Sequence, residues 1–138
     1  MAELDRLFQK MVGMGASDMH LTTGNAPLAR ESGDIKPMID EKEPLTPEAL
    51  KKWFEEICPK HNWEEYLKDG DTDFAYDLSG SARFRANFFM DQRGPGAVFR
   101  LIPTKIATVA DLSLPSPVVE FCNLSKGLVV ITGPTGSG

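Results

Sequence analysis

Cysteine and histidine are scarce, with 2 of each among 138 residues. Cys58 and Cys122 lie far apart and form no C-x-x-C pair, which fits a cytosolic protein with buried free thiols. His20 and His61 are isolated, one on a strand and one at a helix junction. Neither has a partner at metal-ligand spacing, so no bound metal is expected. Nothing resembles a nucleophilic triad, and the carboxylate pairs Glu55-Glu56 and Glu64-Glu65 are solvated helix faces. No apolar run approaches the roughly 20 residues of a membrane span. The first six residues are acidic and amphipathic, unlike a signal peptide. Positive charge is also in deficit: 15 Lys and Arg against 20 Asp and Glu give a net charge of −5, which argues against nucleic acid as the main partner. Repeats and low-complexity segments are absent.

What remains is ordinary globular material, 41% hydrophobic and 25% charged, enough for one domain with a core. Leu4, Leu7, Phe8 and Met11 share one face of a helix, which Gly13 and Gly15 end. Residues 17–23 alternate like a half-buried strand. Residues 27–30 and 35–39 read as a hairpin around Ser32-Gly33-Asp34. Thr46-Pro47 opens a helix carrying Leu50, Trp53, Phe54 and Ile57, with Trp53 and Phe54 in the core, and a second short helix covers 63–67. From residue 72 the pattern turns to β. Segments 73–78, 83–90 and 97–102, separated by Ser79-Gly80-Ser81 and Gly94-Pro95-Gly96, predict an antiparallel meander. Residues 108–117 read as a loop with two prolines, and Val118 to Cys122 as a short helix. The order of elements predicts an α+β domain with helices packed on an antiparallel sheet, and a boundary near residues 106–115.

Two stretches point to chemistry. In the first, the apolar run Leu128-Val129-Val130-Ile131-Thr132 passes into Gly133-Pro134-Thr135-Gly136-Ser137-Gly138. A phosphate-binding loop reads G-x-x-x-x-G-K-[ST] between a strand and a helix, and these six residues carry both glycines at the right spacing. Glycine lets successive N–H groups turn inward as an anion nest. The Lys that would neutralise the β/γ-phosphates and the hydroxyl that would hold Mg²⁺ do not follow, so the chain is expected to be a fragment cut inside an ATP-binding motif. A lone final strand lacks sheet neighbours and is expected frayed or recruited by another chain.

In the second stretch, strand alternation puts Arg83, Arg85 and Asn87 on one face and Phe84, Ala86, Phe88 and Met90 on the other, the core face. Guanidinium groups two residues apart converge on one anion, with Arg100 joining from the returning strand if the register allows. Either these arginines contact phosphate, or they are a solvated face balanced by carboxylates such as Asp73 and Asp77.

The motifs Gly15-Ala16-Ser17-Asp18-Met19-His20-Leu21, Arg30-x-x-Gly33, Asp73-Phe74-Ala75-Tyr76, Arg83-Phe84-Arg85-x-Asn87, Val98-Phe99-Arg100-Leu101-Ile102-Pro103 and Lys126 through Gly138 together resemble the type IV pilus retraction ATPases, in the type II/IV secretion superfamily of hexameric motors. The resemblance covers nearly the whole chain and is weakest over residues 40–69. It implies a PAS-like N-terminal domain (1–105), a linker (106–117) and the start of a RecA-like ATPase domain (118–138). It implies that Arg83, Arg85 and Arg100 reach nucleotide held by residues 133–138. ATP and Mg²⁺ would be cofactors of the full-length protein, with neither held tightly by this fragment. The partners implied are other copies in a homohexameric ring and an inner-membrane pilus platform protein, at a cytoplasmic site peripheral to the inner membrane. The short N-terminus favours a retraction motor over a pilus-assembly or type II secretion motor. A stand-alone PAS-like module for ligand binding, oligomerisation or docking is the alternative of another class.

Overall fold

Leu4, Leu7, Phe8 and Met11 are fully buried, so the apolar stripe of the first helix is the face it sets into the core. The computed structural model describes residues 2–38, 40–103 and 108–133. The chain divides into two compact units, residues 1–104 and 105–138.

The first unit contains α1 (Glu3–Gly13), β1 (Asp18–Thr22), β2 (Leu28–Glu31), β3 (Asp34–Pro37), α2 (Pro47–Ile57), α3 (Lys60–Asp69), β4 (Asp71–Leu78), β5 (Ala82–Asp91) and β6 (Gly94–Ile102). Local chemistry accounts for the boundaries. Thr46 caps α2 by accepting from the Ala49 N–H at 3.2 Å, with Pro47 at the first helical position. Gly70 ends α3 in the left-handed conformation at φ 79°. Ser32 and Gly33, at φ 51° and 91°, form the two-residue turn that pairs Glu31 with Asp34. The predicted end of the third strand, Ile39, lies outside the described residues.

The strands form one antiparallel sheet in the order β3-β2-β1-β6-β5-β4. Two local meanders, β1–β3 and β4–β6, are therefore joined edge to edge by β1 against β6. One sheet face is aromatic. Phe8 stacks on Phe84 at 4.4 Å, Phe88 stacks on Phe54 at 4.3 Å, and Phe99 meets both Phe8 and Phe88 edge-on. Helix α1 is further tied down by Tyr76, whose hydroxyl donates to Asp5 Oδ1 at 2.6 Å, and by Glu41, which pairs with both Arg6 and Lys10.

Four details differ from the sequence reading. Gly94-Pro95-Gly96 is not the turn: the register pairs Asp91 with Gly94, which leaves Gln92 and Arg93 as the loop and puts all three residues in β6. The Asp91 carboxylate closes that loop by accepting from the N–H groups of Arg93 and Gly94 at 2.7 and 3.1 Å. Gly96 is in the strand because the Phe89 ring crosses it, and a Cβ there would come within 2.5 Å of the ring. Met90, assigned to the core face, is 55% exposed: it lies at the rim of the helical cover, in an open groove with Leu67 and Pro95. The thiols are not both buried. Cys58 is half-buried, and burial pushes its pKa up to about 11, whereas Cys122 is exposed.

The second unit carries one helix among its described residues, α4 (Pro117–Phe121), which buries none of its side chains; Pro117 starts this helix rather than closing the loop before it. Residues 127–133 form neither helix nor strand, and Leu128 and Ile131 are almost fully exposed.

Candidate functional site

The face of the sheet opposite the aromatic core carries the arginines. Strand alternation turns Arg83, Arg85 and Asn87 outward from β5 while Phe84, Ala86 and Phe88 are fully buried. The register sets Arg85 of β5 directly opposite Arg100 of β6, so their Cβ atoms are neighbours at about 5 Å. Arg83 lies one pair further along, opposite Ile102 on one side and Asp77 on the other. Arg85 and Arg100 are thus brought together, and Arg83 flanks them with no ion pair among the described residues. Asp77, its cross-strand neighbour, is not ion-paired with it among the described residues; its carboxylate accepts from the Gly80 N–H at 2.7 Å.

Both paired arginines are held from outside. Arg85 donates through Nε to Asp73 Oδ1 at 3.2 Å, and Arg100 through Nε to Asp18 Oδ1 at 2.7 Å. The order across the sheet is therefore carboxylate, guanidinium, guanidinium, carboxylate. Each arginine anchors one edge of its fork, and among the described residues its terminal nitrogens have no acceptor. Between them lies an open depression of 240 Å³ lined by Asp73, Arg85, Asn87, Val98 and Arg100. Forked, permanently charged donors facing one depression suit a phosphate group.

Sequence reasoning did not find Asp18 and Arg30. Asp18 of β1 is opposite Arg100 of β6 on one side and Arg30 of β2 on the other, and its side chain is only 7% exposed. Arg30 Nε lies 3.5 Å from Asp18 Oδ2, and the Ser17 hydroxyl donates to that oxygen at 2.8 Å. Burial pushes the Asp18 carboxyl up, but the bonds from Arg100 and Ser17 and the charges of Arg100 and Arg30 outweigh it and hold the pKa below the usual range. Both residues stood within the motifs that carry the resemblance, and alternation put Asp18 on the face of His20, but neither signal gave the pairing, because the partner Arg100 is 82 residues away.

His20 lies two residues along the same face, and its buried Nε2 has no hydrogen-bond partner among the described residues. Burial lowers its pKa, Asp18 opposes that, and Arg30 and Arg100 reinforce it. Above the ordinary value of 6.5, His20 is neutral in both folded and unfolded chains. As pH falls through 6.5, the unfolded chain takes up a proton that the fold resists, so stability is lost. Urea unfolding at about pH 7.5 and about pH 5.5 is expected to show a smaller drop for His20→Gln than for the wild type. Equal drops would place the titration elsewhere.

Gly133 is the last described residue of the predicted phosphate loop; Pro134, Thr135, Gly136, Ser137 and Gly138 lie outside the described residues. Among the described residues no group of three His, Cys, Asp or Glu is placed to hold a metal ion, and no helix is long and apolar enough to cross a membrane.

No family model matches the chain. It is 39% identical over 127 residues to the type IV pilus retractation ATPase PilT of Pseudomonas aeruginosa, covering 90% of this chain and 36% of that protein. It is 30% identical over 136 residues to the type IV pilus ATPase PilU of the same organism, covering 99% and 35%. A twitching motility protein of Neisseria gonorrhoeae is 35% identical over 112 residues, covering 81% and 29%. Among solved structures, the crystal structure of the pilus retraction motor PilT with bound ADP aligns with a TM-score of 0.82 at 35% identity, over 100% of this chain and 40% of that one. The Legionella pneumophila ATPase DotB aligns at 0.79 and 24% identity, over 98% and 38%, a likeness of fold alone. The chain spans little more than a third of the length of PilT. Its α+β fold matches that of the PilT N-terminal domain.

Proposed function

We propose, from the homology of this chain to the pilus retraction ATPase PilT, that it is the N-terminal domain of a motor ATPase of the type II/IV secretion kind, one that powers type IV pilus retraction and twitching motility. The observation that carries the reading is the 39% identity to PilT sustained over 90% of the chain. In this reading residues 1–105 form a PAS-like domain, 106–117 a linker and 118–138 the start of a RecA-like ATPase domain. Gly133 to Gly138 would cradle the phosphates of ATP, and Mg²⁺ would neutralise charge as the γ-phosphoryl group is transferred.

This domain's own contribution is cationic. Arg85 and Arg100, which line one depression, would bind and orient the phosphates, and Arg83 would add charge at the edge. Placement on the paired strands β5 and β6 would let movement of this domain follow the nucleotide state. A homohexameric ring at the cytoplasmic side of the inner membrane, engaging a pilus platform protein, completes the proposal. A pilus-assembly or type II secretion motor is the second reading, and the likeness to PilU, a type IV pilus ATPase, favours the pilus kind.

ATP turnover by the full-length gene product tests this, beside Arg83→Ala, Arg85→Ala and Arg100→Ala. Turnover is expected to fall about 100-fold in Arg85→Ala and Arg100→Ala, with nucleotide binding largely retained, and less in Arg83→Ala. Wild-type turnover in both would leave these arginines as surface charge. Restored twitching in a retraction-deficient strain separates a retraction motor from a secretion motor.

A further inference from the structure

Among the described residues, Asp18 is the one charged side chain of this face that the fold buries. Taking a carboxylate out of water is costly unless it is paired and hydrogen-bonded, and a partner that stays in solvent returns little stability. Arg100 is such a partner, with its side chain 69% exposed. As a stabilising ion pair the arrangement is poor. As a way of fixing the direction of a guanidinium it is good, because three polar groups converge on one immobile carboxylate. Arg100 reaches Oδ1 through Nε at 2.7 Å, while Ser17 Oγ and Arg30 Nε take Oδ2 at 2.8 and 3.5 Å. The register puts Asp18 between β2 and β6, so that both arginines are its cross-strand partners.

We propose that Asp18 is a positioning residue: it grips Arg100 by Nε so that the two terminal nitrogens of the fork stand free beside Arg85, over the depression, for a phosphate oxygen. Arg30 completes the grip from the opposite strand and keeps the carboxylate from swinging. This rests on the nucleotide role proposed above for Arg100. The equivalent contact on Arg85 is weaker in kind, since Asp73 is itself half-exposed and its carboxylate is shared with Asn87.

The test is steady-state ATP hydrolysis by the full-length protein, with kcat and KM read separately for wild type, Asp18→Asn, Arg100→Ala, Arg100→Lys and Asp18→Asn/Arg100→Ala. Asparagine keeps the shape of the side chain and removes the charge that holds Nε. Arg100→Ala is expected to lose about 100-fold in kcat. Asp18→Asn is expected to lose about 10-fold in kcat with KM little changed, the usual size for a group acting through another. The double variant should be no slower than Arg100→Ala, because a positioning residue has nothing left to position. Wild-type kcat in Asp18→Asn, or losses that multiply in the double variant, would overturn the proposal. Should Asp18→Asn fail to fold, Arg100→Lys decides: lysine retains the charge but has no Nε for Asp18, and is expected to be as slow as alanine. Wild-type kcat in Arg100→Lys would equally overturn it. If Arg100→Ala itself turns over normally, the nucleotide role falls and takes this proposal with it, an outcome distinct from failure at Asp18 alone.

Discussion

Replacing Phe88 with alanine is expected to cost about 4 kcal/mol, the upper part of the range for a buried aromatic truncated in a core. Phe88 is fully buried on β5 and is the junction of the aromatic layer. It stacks on Phe54 of α2 at 4.3 Å and meets Tyr66 of α3, Phe74 of β4 and Phe99 of β6 edge-on at 5.8, 5.0 and 6.0 Å. Four elements therefore lose their common contact, and the surrounding rings are too large and too constrained by their own strands to fill the space. Against a total stability of roughly 5–15 kcal/mol for a domain, that leaves a marginal fold. Urea denaturation of the 138-residue chain measures it. A loss under about 1.5 kcal/mol would mean that α2 and α3 re-pack freely, and that the aromatic layer is not the core described here.

Gly94→Val is the second large effect, expected at about 3 kcal/mol or more. Gly94 opens β6 at φ 134°, a conformation that glycine alone adopts without strain. Space is short as well. An added Cβ would lie 3.0 Å from Thr23 Oγ1, whose hydroxyl donates to the Pro95 carbonyl at 2.9 Å, and 3.6 Å from Pro47 at the start of α2. Valine therefore strains the backbone, presses on a buried hydrogen bond and pushes against a helix N-terminus at once. A fall in melting temperature of about 10 °C or more is the expected reading for a domain of this size. Gly13→Ala is the matched control: nothing lies within 4 Å of its added carbon, and stability should move by no more than about 0.5 kcal/mol. Equal effects at the two glycines would show that the strain at Gly94 is not set by its surroundings.

The candidate site was legible only in part. Arg83, Arg85 and Asn87 were assigned to one face from alternation alone, and they share it. That Arg85 rather than Arg83 would stand opposite Arg100 depended on the β5–β6 register, which the two-residue loop at Gln92 and Arg93 sets. Reading Gly94-Pro95-Gly96 as the turn hid that register, because glycine marks either a turn or the close approach of a ring, and here Phe89 covers Gly96. Met90 was misplaced for a related reason: alternation says which face a side chain takes, not how far the helices above that face extend.

The sequence by itself determined the elements, their faces and the family resemblance. Side-chain direction repeats every 3.6 residues in a helix and every 2 in a strand by covalent geometry, so Leu4, Leu7, Phe8 and Met11, or Phe84, Ala86 and Phe88, declare a buried face with no knowledge of what covers it. Caps and turns at Thr46, Gly33 and Gly70 are equally local. Tertiary structure alone decided that β1 pairs with β6. That pairing closes two separate meanders into one sheet over a shared aromatic core, and it brings Asp18 against an arginine 82 residues away. No local pattern encodes it, since the free energy that selects it comes from burying both halves of the core together.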